Sequence, residues 1–146
     1  MLKTESADVQ VFLSIKHKEI LRAFFEVIQP KSPKFQLDLK VHLIDFTQEY
    51  MSSFPYLLVI FFKFGLLFMN FLPVLYRFKW QMFCDLSLEE REKMFVIWTH
   101  SKISVFRDFM KSLKLMVFLG FYEHPLVMNA MNYHPDQWVE FAKARR

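Results

Sequence analysis

Gly65 and Gly120 are the only glycines in a chain of 146 residues. Nucleotide-binding loops need several glycines, because their backbone must approach a phosphate group without side chains in the way. Tight hairpin turns also depend on glycine. The low glycine count therefore argues against a chain that binds a nucleotide, nicotinamide or flavin by itself. It predicts an all-α fold, a compact bundle of about six helices joined by short connections.

The chain length predicts a single helical domain that spans residues 1–146. The spacing of its apolar residues predicts the first two helices. The first helix is predicted over residues 6–28, where it ends ahead of Pro30, and the second over residues 35–51. Between them the segment 29–34 reads QPKSPK, which is typical of a loop.

The second half of the chain carries clear helix signals. Ser87 and Glu90 have the spacing of a capping box, which predicts a helix from Leu88 to about residue 100. A long amphipathic helix follows, and Pro125 is placed to open a short one. A final helix is predicted near the C-terminus, with Asp136 as its cap.

The segment 54–83 is the most apolar part of the chain. Its longest uninterrupted apolar run covers residues 54–62, well short of the roughly 20 residues that cross a bilayer. Lys63, Asn70 and Arg77 recur at equal intervals, so on one continuous helix they would form a single polar line. Pro73 disfavours that continuity and predicts two helices, over 54–71 and 74–84.

The charges of this segment suit contact with anionic lipid. It has no acidic residue between Glu49 and Asp85, but it carries basic residues and a tryptophan. The candidate membrane contacts are Lys63, Arg77, Lys79 and Trp80. Burial within the fold or against a partner and a true membrane span are the two alternatives.

No catalytic or metal-binding pattern stands out. Cys84 is the only cysteine, which excludes an intrachain disulfide and a thiolate metal cluster. The five histidines lack metal-ligand spacing, and His124 and His134 are the one pair that we expect to approach each other. The net charge of +4 is too small to indicate nucleic-acid binding. We predict no catalytic, cofactor or metal site in this chain.

The N-terminus, MLKTESADVQ, lacks the basic region and the apolar run of a secretory signal. We therefore expect a cytoplasmic protein. If the apolar segment contacts lipid, the expected place is the periphery of the inner face of the membrane.

Three stretches together resemble a known family. The segment 86–125 begins LSLEERE and ends in an aromatic turn with Phe121, Tyr122 and Pro125. The first helix ends in FEVIQP, and NYHPD follows the aromatic turn. This order resembles the gluconate 2-dehydrogenase subunit 3 family (the small or gamma subunit), and it is similar to the N-terminal region of long-chain fatty alcohol oxidases. It departs from the family at Asn132, where the family has glycine, and in its more apolar segment 54–83.

The resemblance implies a non-catalytic accessory subunit. Such a chain stabilises or escorts a large flavoprotein of the glucose-methanol-choline (GMC) type, an FAD-dependent alcohol dehydrogenase or oxidase that acts on a hydrophobic alcohol. FAD would belong to the partner chain, so this chain is not expected to be an enzyme by itself. The candidate interface residues are Trp98, Phe106, Phe109, Phe121, Tyr122 and Tyr133. A peripheral membrane protein and a carrier of apolar ligands are the competing functions.

Overall fold

A computed structural model describes residues 13–31, 38–77 and 80–145, with the backbone alone for Tyr76 and Arg77. These residues form seven α-helices and one short 3-10 turn, and they contain no strand. The all-α fold class and the helical bundle are thus confirmed. The helices are α1 (Ile15–Ile28), α2 (Lys40–Ser52), α3 (Tyr56–Arg77), α4 (Leu88–Thr99), α5 (Ser104–Glu123), α6 (Pro125–Ala130) and α7 (Pro135–Ala144), and the 3-10 turn is Phe83–Asp85.

Helix α1 lies at the centre of the bundle and packs against α2, α3, α4 and the 3-10 turn. An aromatic cluster joins three of these elements. The ring of Phe24 stacks on Phe83 at 4.4 Å between centroids, and Trp98 of α4 lies 5.3 Å from Phe83. All three side chains are buried. Burial of such large rings contributes about 2–3 kcal/mol each, so the cluster fixes α1 and α4 to the turn that follows α3.

The first helix is shorter than the sequence predicts. Ser14 is its N-cap, with an extended backbone and an Oγ that accepts a hydrogen bond from His17 N at 3.3 Å. The prediction of one helix from residue 6 is therefore wrong, although its end ahead of Pro30 is correct. Helix α2 begins at Lys40, and the start predicted for it at residue 35 lies outside the described residues.

The predicted capping box is present at the start of α4. Ser87 Oγ accepts from Glu90 N, and the Glu90 carboxylate accepts from Ser87 N, each at 3.3 Å. The prediction of a cap at the last helix is wrong, because His134 holds the N-cap position of α7. Asp136 lies in the first turn of that helix, where the helix dipole favours a carboxylate.

A proline does not interrupt α3, so the two predicted helices are one. Pro73 removes one backbone hydrogen bond and costs about 3 kcal/mol in a helix interior. The turns around it compensate by packing, because Met69 and Leu72 are 2% and 5% exposed. Burying two such side chains recovers about 3–6 kcal/mol, which is enough to carry the helix through the proline.

The end of α6 redirects the chain into α7. Tyr133 N donates to Met128 O at 2.9 Å, and Asn132 N donates to Asn129 O at 3.0 Å, the two bonds of a Schellman motif. Asn132 has a φ of 54°, the left-handed conformation that this motif requires. Glycine adopts it most easily and asparagine next, so Asn132 serves in place of a glycine.

Both glycines lie inside helices at points of close helix–helix contact. A Cβ on Gly65 would lie 2.6 Å from Cε2 of Phe109, which α5 places against α3. A Cβ on Gly120 would lie 2.8 Å from Phe46 Cδ1 and 3.0 Å from Leu43 Cδ2, both on α2. The carbonyl oxygen of Gly120 also accepts a hydrogen bond from His42 Nε2 at 3.0 Å. Glycine is thus used here for helix packing and not for turns.

We predict that alanine destabilises the fold at Gly120 but not at Gly65. Alanine gains about 1 kcal/mol of helix propensity over glycine at either site. At Gly120 the added methyl meets the inner part of the Phe46 ring and the buried Leu43, so we expect Gly120→Ala to lower the free energy of unfolding by about 1–2 kcal/mol. At Gly65 the obstacle is the far edge of a half-buried ring, which can swing aside.

We therefore expect Gly65→Ala to lie within about 0.5 kcal/mol of the parent chain. Urea denaturation followed by far-UV circular dichroism measures both values. A larger loss at Gly65 than at Gly120 would contradict this account of the helix contacts.

Candidate functional site

The outward side of α3 is apolar along its whole length. The inner side buries Val59, Phe62, Leu66, Met69 and Leu72. On the outer side eight apolar side chains recur every three or four residues, the period of one helix face. These residues, which we call the α3 ridge, are Leu57, Ile60, Phe61, Phe64, Leu67, Phe68, Phe71 and Leu75, and they are 39–76% exposed.

The size of the α3 ridge sets it apart from ordinary surface. Four phenylalanines are 39–67% exposed on it, which amounts to about 400 Å² of aromatic surface. The largest apolar patch on a typical soluble monomer is about 300–600 Å² in total, and aliphatic side chains of the ridge add to the aromatic area. The ridge follows a helix of 22 residues, about 33 Å long. Such a surface indicates an interaction site.

Two of the three residues that would form a polar line on a continuous α3, Lys63 and Asn70, lie away from its outer face, and the side chain of Arg77 is outside the described part of the chain. Asn70 is 3% exposed, and its Oδ1 accepts a hydrogen bond from Cys84 N at 3.1 Å. Its Nδ2 lies 3.4 Å from the sulfur of Met82. Lys63 is half-buried beside α1, close enough to His17 to lower the pKa of that imidazole. Over residues 57–75, the outer face of α3 therefore carries no charged side chain.

Of the other predicted membrane contacts, the structure describes the side chain of Trp80 alone. Trp80 follows α3 and is 96% exposed. Lys79 and the side chain of Arg77 lie outside the described part of the chain. By length and composition, one described helix could cross a membrane: the stretch Tyr56–Leu75 has a mean hydropathy of 2.1, and 39% of it is buried in the bundle.

An open apolar groove runs between α3 and α5 beside the ridge. It has two adjoining parts of about 440 Å³ and 210 Å³, and both are lined by Phe61, Val105 and Phe109. We call it the α3–α5 groove. Its larger part is also lined by Tyr50, Met51, Phe54, Leu58, Phe62, Asp108, Ser112, Leu115 and Met116, and its smaller part by Phe64, Gly65, Phe68, Met69 and Phe106.

The structure separates the predicted partner contacts into three groups. Trp98 and Phe121 are 1% and 0% exposed, so the prediction that they contact a partner is wrong. Phe106 and Phe109 are half-buried in the wall of the α3–α5 groove. The two tyrosines at the surface are Tyr122 and Tyr133, which are 44% and 53% exposed.

Tyr122 lies in a second apolar recess, between α2 and α5. Its other lining residues are Phe46, Tyr50, Phe118, Leu119 and Glu123. We call this recess the α2–α5 pocket. The rings of Phe118 and Tyr122 meet at 6.1 Å, nearly edge to face, so the exposed tyrosine is held in a defined position.

Sequence reasoning missed the histidine pair that forms. The rings of His42 and His124 lie 4.6 Å apart and nearly perpendicular. His124 Nδ1 accepts from Leu126 N at 3.3 Å and caps α6. The described residues contain no group of three or more metal-binding side chains. A contact between α2 and the end of α5 brings the pair together, and no sequence motif signals it.

The histidines make stability depend on pH. Burial, and then the nearby His42, lowers the pKa of His124, while burial and Lys63 lower that of His17. The unfolded chain therefore binds more protons than the folded one just below the ordinary histidine pKa of about 6.5. We predict that the free energy of unfolding falls as the pH is lowered from about 7.5 to about 5.

The control for this effect is His124→Asn, which keeps a side-chain acceptor at the N-cap but does not titrate. We expect a smaller loss of stability over the same pH range in this variant, measured by urea denaturation at each pH. An unchanged pH dependence would show that His124 does not contribute to it.

No family model matches the chain, and no curated protein or solved structure is similar to it. The resemblance to the gluconate 2-dehydrogenase small subunits therefore stays a prediction.

Proposed function

We propose that this chain is a non-catalytic, peripheral membrane protein that docks on an anionic lipid surface through the α3 ridge. The observation that carries the proposal is the outer face of α3, whose eight ridge residues are all leucine, isoleucine or phenylalanine. A protein interface of this size ordinarily includes polar groups that fix its register. A lipid surface requires none.

The free energy available supports docking. Transfer of the ridge phenylalanines from water, about 400 Å² of surface, corresponds to roughly 10 kcal/mol at about 25 cal/mol per Å². A helix that lies in the membrane plane buries its apolar face about 5–10 Å deep. Helix α3 suits this geometry because its inner side packs against α1 while the ridge on its outer side stays 39–76% exposed among the described residues.

The charges near the ridge favour an anionic surface. Residues 50–84 include no aspartate or glutamate, and the chain has a net charge of +4. Trp80 is almost fully exposed just beyond α3, and tryptophan prefers the level of the lipid headgroups. Lys63 lies on the flank of the helix, and Arg77 and Lys79 add two positive charges near its end. The cytoplasmic leaflet carries anionic lipids, so the proposed location is the inner face of the membrane.

Liposome flotation tests the proposal. We expect the protein to float with vesicles of phosphatidylcholine and phosphatidylserine. Phe64→Glu places a charge at the middle of the ridge, on a side chain that is 67% exposed and therefore not needed for folding. We expect this variant to lose at least about tenfold in vesicle affinity, because a buried carboxylate is costly in lipid.

The matched control is Val96→Glu, which changes a 55% exposed residue on α4. It should float like the parent chain. Equal flotation of both variants would exclude the ridge as the docking surface. A protein partner that Phe64→Glu loses, without any flotation of the parent chain, would assign the ridge to a protein interface.

We propose a second candidate function, that of an accessory subunit for a large FAD-dependent GMC flavoprotein. The observation that favours it is the α2–α5 pocket, where Tyr122 is 44% exposed yet fixed against Phe118. Exposed tyrosines in apolar surroundings are common anchors of protein interfaces. FAD and the catalytic groups would be supplied by the partner, which acts on a hydrophobic alcohol.

A pull-down of the tagged chain from its native host tests this candidate. We expect a flavoprotein in near-equal amount, recognised by its flavin absorbance and by mass spectrometry. Tyr122→Asp should lower its recovery at least about tenfold, as for the loss of an aromatic anchor, whereas Val96→Glu should not. Recovery of the chain with lipid and without flavin would remove the flavoprotein from consideration.

A further inference from the structure

The α3–α5 groove has the dimensions of a ligand site. Its two parts of about 440 Å³ and 210 Å³ adjoin along Phe61, Val105 and Phe109. Sites for small ligands in proteins measure about 300–1,000 Å³ and are mostly apolar. Their combined volume and their apolar lining suit an alkyl chain, and we call the two adjoining parts together the trough.

Aromatic contacts form the walls of the trough. Phe109 packs on Phe62 at 5.8 Å between centroids, and Phe106 packs on Phe68 at 6.1 Å. Gly65 lets the Phe109 ring lean against the α3 backbone, because a Cβ there would be only 2.6 Å from the ring. A larger residue would push that ring outward into the open space. The glycine therefore keeps this part of the groove open.

The polar groups at the edge of the groove select the head of a ligand. The polar lining residues are Tyr50, Ser112 and Asp108, and none of the lining residues is a cation. The Ser112 hydroxyl donates to the backbone oxygen of Asp108 at 2.8 Å, which leaves the Asp108 carboxylate as the charged group of the groove. Lys111 approaches Asp108 only to 3.8 Å, and both side chains are 69% exposed, so this pair is weak. A carboxylate or phosphate head would be repelled by Asp108, whereas a hydroxyl head can donate to it.

The groove opens at the side of the ridge. Phe61, Phe64 and Phe68 belong to both surfaces, since their rings are exposed on the ridge and also line the groove. With the ridge docked on a bilayer, an acyl chain could enter the groove without crossing water.

We infer that the α3–α5 groove binds one single-chain lipid with an uncharged hydroxyl head, of which a monoacylglycerol is the simplest. That the lipid enters from a bilayer rests on the proposed docking function, whereas the binding of the lipid to the groove does not.

Fluorescence titration of the full chain with a pyrene-labelled monoacylglycerol tests the inference. Val105 lines both parts of the groove and is 55% exposed, so Val105→Trp fills the groove without disturbing the core. We expect this variant to bind the probe at least about tenfold more weakly. Val96→Trp adds the same bulk to an equally exposed site on α4 and should bind as the parent chain does.

Two further variants complete the test. We expect the parent chain to prefer the monoacylglycerol over a pyrene-labelled fatty acid by about tenfold, and Asp108→Asn to narrow that preference. Ser112→Phe blocks the polar end of the groove and replaces Val105→Trp if the latter fails to fold. Parent-like binding by the groove-filling variant would overturn the inference, as would a preference for the fatty acid.

The two proposals can fail separately. Val105→Trp should still float with vesicles, because it leaves the ridge unchanged, and Leu57→Glu tests the ridge at a side chain that is 76% exposed and does not line the groove. Probe binding that survives the loss of the docking function would leave the groove as the site of a lipid carried in solution. Normal flotation of the parent chain without binding of the probe would support the docking surface and overturn the proposed ligand.

Discussion

The hydrogen bond from Cys84 N to Asn70 Oδ1 sets the rotation of α3 in the bundle. Asn70 is 3% exposed, and a buried amide without a partner costs about 1–3 kcal/mol. A turn of α3 about its axis would bury ridge phenylalanines, which the hydrophobic effect favours, but it would break this bond and move Lys63 from its place beside α1. One polar residue at the right helical phase thereby keeps a wholly apolar face on the outside.

The support for α3 is stiff because α1 holds its neighbours by several kinds of contact. Phe24 joins the 3-10 turn to α4 through Phe83 and Trp98. On the other side of α1, Glu26 accepts from Lys40 of α2 at 2.9 Å and from Arg91 of α4 at 2.7 Å. These cations lower the pKa of the Glu26 carboxyl, Lys40 having the larger effect. A surface that binds lipid or another protein as one unit needs a rigid support.

The sequence predicts the capping box at Ser87 correctly, but it predicts neither the true N-cap of α7 nor the contacts between helices. The capping box at Ser87 depends only on neighbours within the same helix, so its spacing is sufficient to predict it. The alignment of Arg77 with Lys63 and Asn70 follows from spacing only on a continuous α3, which the predicted break at Pro73 argued against. The predicted break at Pro73 was wrong because packing against other helices outweighs one lost hydrogen bond. Trp98 was assigned to an interface because α4 is apolar on several sides, and sequence alone does not tell which side meets α1. The α3–α5 groove is formed by residues that lie far apart in the sequence, and no sequence motif indicates that they come together.

The α3 ridge also has a consequence for how this sequence can change over generations. Its side chains are 39–76% exposed, so exchanges among leucine, isoleucine, phenylalanine and methionine there should leave folding intact and keep the surface apolar. Asn70 and Gly120 have no such freedom, because Asn70 accepts a buried hydrogen bond and Gly120 leaves room for the ring of Phe46. Relatives of this chain should therefore keep an apolar ridge without keeping the same residues in it, while the residues at these two positions should stay unchanged.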